Sequence, residues 1–272
     1  MAITGKDDGS IGGRIRLGMV GGGEGAFIGA IHRLAARMDD HYSFVAGALS
    51  STPEKSLRSG ASLGLDPKRV YGTYDEMAKK EGRRKDGIEA VAIVTPNHMH
   101  AGPALAFLKA GIHVICDKPL TTSLKEALKL QAAAEKSGKI FAVTHNYTGY
   151  PMVRQARAMI AAGELGEIRV VQIEYPQDWL AEPLEQTGQK QADWRTDPSR
   201  SGAGGCIGDI GTHAFNLADF IVNIPVVELS AELTSFVQGR RLDDDTHVRM
   251  HYANGAKGTL WASQVAVGNE NA

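Results

Sequence analysis

The chain has 272 residues, 43% hydrophobic and 22% charged, with 30 basic against 31 acidic side chains and a formal net charge of -1. That length holds one large or two modest domains with real cores, and the composition is too apolar for a disordered chain. Nucleic acid is excluded as a partner, because no basic excess or stripe is present to neutralise a phosphate backbone. The longest basic run, Arg83-Arg84-Lys85, is framed by Glu81 and Asp86 and reads as a solvated turn. The two cysteines, Cys116 and Cys206, stand alone, so both read as buried thiols, with neither a disulfide framework nor a metal site implied. The opening residues carry Lys6, Asp7 and Asp8 and lack the apolar segment of a secretory leader. No apolar stretch approaches the ~18 residues of a membrane span. The expected location is the cytoplasm, with no membrane partner.

Short β-branched runs alternate with amphipathic stretches from the start. Strands are expected over 14–20, 43–49, 90–94, 113–116 and 140–144, with a short candidate at Val70-Tyr71. Helices are expected over 26–38, from Pro53 onward, over 75–80, 100–110 and 124–136. Pro53 is a good first-turn residue, Ser123 with Glu126 forms a capping box, and Gly111 and Gly138 end their helices. The run Ala90-Val91-Ala92-Ile93-Val94 is apolar throughout, as in a parallel strand covered on both faces. Such alternation predicts an α/β, Rossmann-type, doubly wound parallel sheet over residues 1–147.

Beyond a helix over 152–162 the pattern changes. Longer alternating runs over 168–175, 226–237, 246–252 and 257–267, with a helix over 209–222, predict an α+β domain with a mainly antiparallel open sheet over 148–272. The polar, glycine-rich segment over 176–208 reads as a long loop of the kind that binds something.

The turn Val20-Gly21-Gly22-Gly23-Glu24-Gly25-Ala26 joins the first strand to the first helix, where backbone amides and the helix N-terminus suit a pyrophosphate. Gly21 and Gly23 open a dinucleotide fingerprint whose third member is either Ala26 or Gly29. The second strand ends in Leu49-Ser50-Ser51-Thr52 without a carboxylate for a ribose diol. Ser50 and Ser51, helped by Lys55 or Arg58, suit a 2′-phosphate, so the reading between NAD and NADP leans to NADP, although serines also bond a bare ribose.

Four segments in order are similar to the Gfo/Idh/MocA family of glucose–fructose oxidoreductase and inositol dehydrogenase relatives: the glycine turn, Thr95-Pro96-Asn97-His98-Met99-His100, Cys116-Asp117-Lys118-Pro119-Leu120 and Gly208-Asp209-Ile210-Gly211-Thr212-His213. The family usually carries Glu at the position of Asp117. The resemblance implies a nicotinamide-dependent oxidoreductase in which Lys118 and His213 flank the reacting carbon, with Asp209 alongside. It also implies nicotinamide or ribose contacts from Thr95, Pro96, Asn97, His100 and Asp117, and needs no metal.

Residue chemistry agrees. Asp209 and His213 are four apart and share a face of a helix, where a carboxylate raises the basicity of an imidazole. Lys118 ends a parallel strand, at the edge where open α/β sheets bind ligands. His145, Asn146 and Tyr147 follow the last strand of the first domain and are candidates for the nicotinamide pocket, Asn146 on the cofactor side and Tyr147 on the substrate side. Trp179, Trp194 and Arg195 suit sugar faces and hydroxyls, and read equally as packing. The expected activity is hydride transfer between nicotinamide and a secondary alcohol of a sugar, cyclitol or polyol. A redox-neutral elimination with tightly held NAD and a non-catalytic dinucleotide or sugar sensor stand as alternatives. A chain ending five residues after its last expected strand reads as truncated, and a homo-oligomer is expected if it is complete.

Overall fold

The computed structural model describes residues 13–271. The charged start at Lys6, Asp7 and Asp8, and Ala272 at the end of the expected second domain, lie outside them. The chain divides into two compact units, the first ending at Thr144 and the second beginning at His145.

The first unit runs β1 (Ile15–Gly21), α1 (Ile28–Met38), β2 (Tyr42–Ala48), α2 (Pro53–Ser62), α3 (Tyr74–Glu81), β3 (Ala90–Val94), α4 (Ala101–Lys109), β4 (His113–Cys116), α5 (Leu124–Ser137) and β5 (Phe141–Val143). Its strands form one parallel sheet in the order β2-β1-β3-β4-β5. All five residues of β3 are buried, because helices cover both faces of the sheet. Thr73 and Ser123 cap α3 and α5 by accepting the amides of Glu76 and Glu126, and Gly138 closes α5 at a φ of 62°. The Glu126 carboxylate accepts the Thr122 and Ser123 hydroxyls, so Ser123 caps through its oxygen while Glu126 ties the preceding loop. The expected strand at Val70-Tyr71 is a single bridge from Val70 to Gly47, entered through one tight turn at Pro67–Arg69. Strand order reverses direction at β1, so the carboxyl ends of β1 and β3, paired at Gly21 and Val94, form the switch point where such sheets bind ligands.

The second unit runs α6 (Pro151–Ala161), β6 (Val170–Pro176), α7 (Lys190–Arg195), α8 (Pro198–Ser201), a π-turn (Ile207–Gly211), α9 (Thr212–Val222), β7 (Val226–Thr234), β8 (Asp245–Tyr252) and β9 (Lys257–Ser263). Its sheet has the order β6-β9-β8-β7. The β7-β8 and β8-β9 pairs are antiparallel, but β6 pairs with β9 in parallel, so the sheet is mixed. The long excursion through α7, α8 and α9 returns the chain to the far side of β8, which lets β9 run alongside β6.

That excursion is no structureless loop. Gln189 caps α7 and Asp197 caps α8 through their side chains, and a further single turn spans Leu184–Gln186. Two expected strands also stop early. Beyond Thr234 the amides of Phe236 and Val237 donate to the Asp244 carboxylate and leave the ladder, and beyond Ser263 the amide of Val265 donates to the Ser263 hydroxyl. Helix α9 packs on β6 and β9 and closes an apolar core containing Ile173, Ala214, Met250 and Leu260. Cys116 and Cys206 are both free and fully buried, and burial pushes the Cys116 thiol up to about 12.

Candidate active site

The nucleotide side is made by backbone. Gly21 and Gly22 have φ of 79° and 72°, the left-handed region that admits glycine without strain. Gly29 lies buried in the first turn of α1, where an added Cβ would stand 2.4 Å from the Cα of Gly22. The bare Cα of Gly29 is what lets the helix close up on the glycine turn. Ala26 sits in the turn before the helix, donating its amide to Gly23 O at 3.0 Å. The N-terminus of α1 has neither a side-chain cap nor an acidic residue in its first turn, unlike the capped α3 and α5. An uncapped helix end beneath a glycine turn at the switch point fits an anionic pyrophosphate.

At the end of β2, Ser50 Oγ accepts the Thr52 amide at 3.4 Å, and Ser51 is exposed. Arg58 faces Glu24 at 3.9 Å in an exposed pair, a partner that sequence reading overlooked.

Thr95 and Pro96 follow β3, and Asn97 is buried in a single turn at Asn97–Met99. His100 has no exposed surface. Its ring nitrogens lie 2.9 Å from Thr95 O and 2.7 Å from Pro119 O, tying this loop to the one that carries Lys118. With a carbonyl oxygen beside each ring nitrogen, His100 lies between the two loops.

Asp117 stands at the carboxyl end of β4 with Lys118, and the Lys118-Pro119 peptide is cis. Burial alone would raise the Asp117 carboxyl. Bonds from His32 at 3.2 Å and Thr144 at 2.7 Å, with the positive field of His32, instead hold it below the usual range. His32 was missed in the sequence, although a histidine one turn into the fingerprint helix was the available signal.

The second unit assembles a cluster of its own. His213 is buried in the first turn of α9, its ring centroid 4.9 Å from Tyr147, 5.8 Å from His145 and 6.5 Å from Tyr175. The Tyr147 and Tyr175 hydroxyls share a 2.6 Å hydrogen bond, and burial raises the Tyr175 phenol. Asn146 is exposed in the adjacent turn.

Asp209 lies in the π-turn that leads into α9, so the expected α-helical spacing to His213 is replaced by a wider turn. Its Oδ2 accepts Arg195 Nε at 3.1 Å and Gln264 Nε2 at 3.0 Å, which binds three distant segments to one carboxylate. The Arg195 guanidinium also stacks 4.2 Å over Trp194 and lies 5.9 Å from Trp179, so both indoles gather on the arginine that holds the aspartate. Gln264 and Tyr175 carry no motif of their own in the sequence. Among the described residues no cluster of three or more His, Cys, Asp or Glu could hold a metal ion, and no helix is long and apolar enough to cross a membrane.

Two family models match. Residues 15–145 match an oxidoreductase family with an NAD-binding Rossmann fold, and residues 153–272 match the GFO/IDH/MocA C-terminal domain. The chain belongs to the Gfo/Idh/MocA oxidoreductase family. This family member is 40% identical over 257 residues to an uncharacterized oxidoreductase, YfiI, of Bacillus subtilis, a match covering 93% of this chain and 65% of that one. A levoglucosan dehydrogenase of Pseudarthrobacter phenanthrenivorans is 29% identical over 94% of this chain and 69% of its own. Among solved structures, an inositol dehydrogenase homolog of Azotobacter vinelandii complexed with NAD+ superposes with a TM-score of 0.92 at 40% identity, covering 95% of this chain and 67% of that one. An oxidoreductase of Sinorhizobium meliloti is 58% identical with a TM-score of 0.84 over the same shares. The chain thus spans about two thirds of the length of these Gfo/Idh/MocA relatives.

Proposed function

We propose that this Gfo/Idh/MocA protein is a nicotinamide-dependent dehydrogenase acting on a secondary alcohol of a cyclitol or sugar. The observation that carries the reading is the second-unit cluster. A buried imidazole, His213, is packed among Tyr147, Tyr175 and His145, and the carboxylate of Asp209 is held by Arg195 and Gln264 at the entrance to the same helix. His213 is the proton-transferring group for the substrate hydroxyl, and Asp209 is the carboxylate fixed in the turn that leads into the same helix. Lys118 is the proposed source of positive charge for the oxygen that gains electron density, and its neighbour Asp117 is tied to His32 and Thr144 at the end of β4. Bound nicotinamide supplies the acceptor or donor of the hydride.

The nucleotide we favour is NAD. Arg58 faces Glu24 across the end of β2, which sets one candidate phosphate-binding cation against a carboxylate, and the Azotobacter relative carries NAD+. The substrate class follows two relatives solved as complexes, an inositol dehydrogenase homolog of Azotobacter vinelandii with myo-inositol and a levoglucosan dehydrogenase with levoglucosan.

The test follows nicotinamide absorbance with NAD and NADP against a panel containing myo-inositol and levoglucosan. His213→Ala is expected to lose about 100- to 10,000-fold in turnover while keeping its nucleotide affinity. Tight nucleotide binding without net turnover on any polyol would overturn the dehydrogenase reading. Substituent elimination without added nucleotide would then point to the redox-neutral alternative, and binding without chemistry to a sensor.

A further inference from the structure

Three consecutive aspartates close the connection from β7 and open β8, Asp243 and Asp244 before the strand and Asp245 as its first residue, and all three are buried. Buried carboxylates in a row are costly unless each finds donors, so the partner of each shows what it does. Asp244 accepts Phe236 N, Val237 N and Arg240 Nη1, and so closes the β7–β8 connection. Asp245 accepts Trp261 Nε1 at 3.0 Å, a tie within the sheet. Asp243 points elsewhere. Its Oδ1 accepts Gly205 N at 2.6 Å and its Oδ2 accepts Ile207 N at 2.7 Å and Thr246 Oγ1 at 3.0 Å. Its own carbonyl takes Cys206 N at 2.8 Å.

Three successive amides at the mouth of the π-turn are thus held by one residue, and the turn passes the constraint on. Gly205 O accepts Asp209 N at 2.9 Å. The approach admits only glycine at 205, because a Cβ there would stand 2.2 Å from Asp243 O.

We infer that Asp243 is a positioning residue for Asp209, clamping the Gly205–Ile207 amides so that the π-turn presents the Asp209 carboxylate to Arg195 and Gln264 in one fixed place. The inference rests on the proposed function for its catalytic consequence. A displacement of about 1 Å in a group of the active site costs on the order of 100-fold in rate, so a clamp of this kind acts on turnover rather than on nucleotide binding. Asparagine at 243 can accept through one oxygen only, and its amide group would face a backbone N–H.

The experiment compares Asp243→Asn, Thr246→Val and Asp244→Asn by amide hydrogen exchange, melting temperature, kcat and KM. Asp243→Asn is expected to speed exchange at Gly205 and Ile207 while β8 and β9 stay protected, and to lower kcat about 100-fold with KM for the nucleotide unchanged. Thr246→Val, which removes one donor and fills the same space, gives the same pattern in weaker form and serves if the asparagine variant does not fold. Asp244→Asn loses stability yet keeps kcat. Equal losses of kcat in the Asp243 and Asp244 variants at equal loss of melting temperature would overturn the positioning role. So would unchanged exchange at Gly205 and Ile207. The exchange measurement needs no turnover, so a wild-type protein inactive on every polyol would refute the dehydrogenase reading while leaving the clamp standing or falling on its own data.

Discussion

Strands β3 and β7 show how differently the two units use the same kind of residue. All five positions of β3 are buried between helices, whereas in β7 only Val226 and Thr234, at its ends, are partly covered. Val227, Leu229 and Leu233 form an apolar row that is exposed by 66%, 61% and 49% among the described residues. Hydrophobicity places a residue in a strand, but what covers that strand decides how much stability the residue contributes. The candidate residues of the two units differ in a parallel way. The nucleotide side is built locally, from glycine backbone and a helix end within one strand–turn–helix. The His213 side is built from segments far apart in sequence, with Asp209 held by Arg195 and Gln264.

Each unit also buries an arginine–carboxylate group. In the first unit Glu81, with no exposed side-chain surface, accepts Arg69 at 2.5 Å and 3.1 Å, the Tyr71 hydroxyl at 2.7 Å and Ile88 N at 3.1 Å. Glu81→Ala should have the largest effect on stability, about 3–5 kcal/mol, because it strands a buried guanidinium. A urea midpoint close to wild type would mean that the first unit is not held by this network. Gly29→Ala comes next, at about 1–3 kcal/mol of overpacking, because the new Cβ meets backbone that has no rotamer to yield. Nucleotide titration should show its affinity for NAD lost even where the fold survives, and retained affinity would remove Gly29 from the fingerprint. The smallest effect belongs to Leu229→Ala, within about 0.5 kcal/mol by thermal melting, as for other exposed positions. A cost of several kcal/mol there would show that the exposed row of β7 is covered in solution, and the contrast with β3 would close.

Much of the first unit was legible because its signals are short-range. Continuous apolar runs, Ser123 and Gly138 at the ends of α5, and the glycine turn each state their conformation within a few residues. The differences arose where a remote partner or a side-chain acceptor replaced the expected backbone pattern. The parallel pairing of β6 with β9 joins strands far apart in sequence, whereas the helical turns inside 176–208 rest on the caps Gln189 and Asp197, and the early ends of β7 and β9 rest on the side chains of Asp244 and Ser263. His100 illustrates the limit at a single residue, since its motif marks it as important but only the fold shows its ring nitrogens beside Thr95 O and Pro119 O.

By itself the sequence determined the order of strands and helices, the glycine turn, the family and the identity of Lys118, Asp209 and His213 as the chemically interesting side chains. Each of these is written in contiguous residues with a local steric or hydrogen-bonding cause. Tertiary structure alone decided that Gly29 packs on Gly22, that His32 stands on Asp117, and that Asp209 sits in a π-turn clamped by Asp243. Those contacts join residues brought together by burial, and burial depends on the whole chain at once.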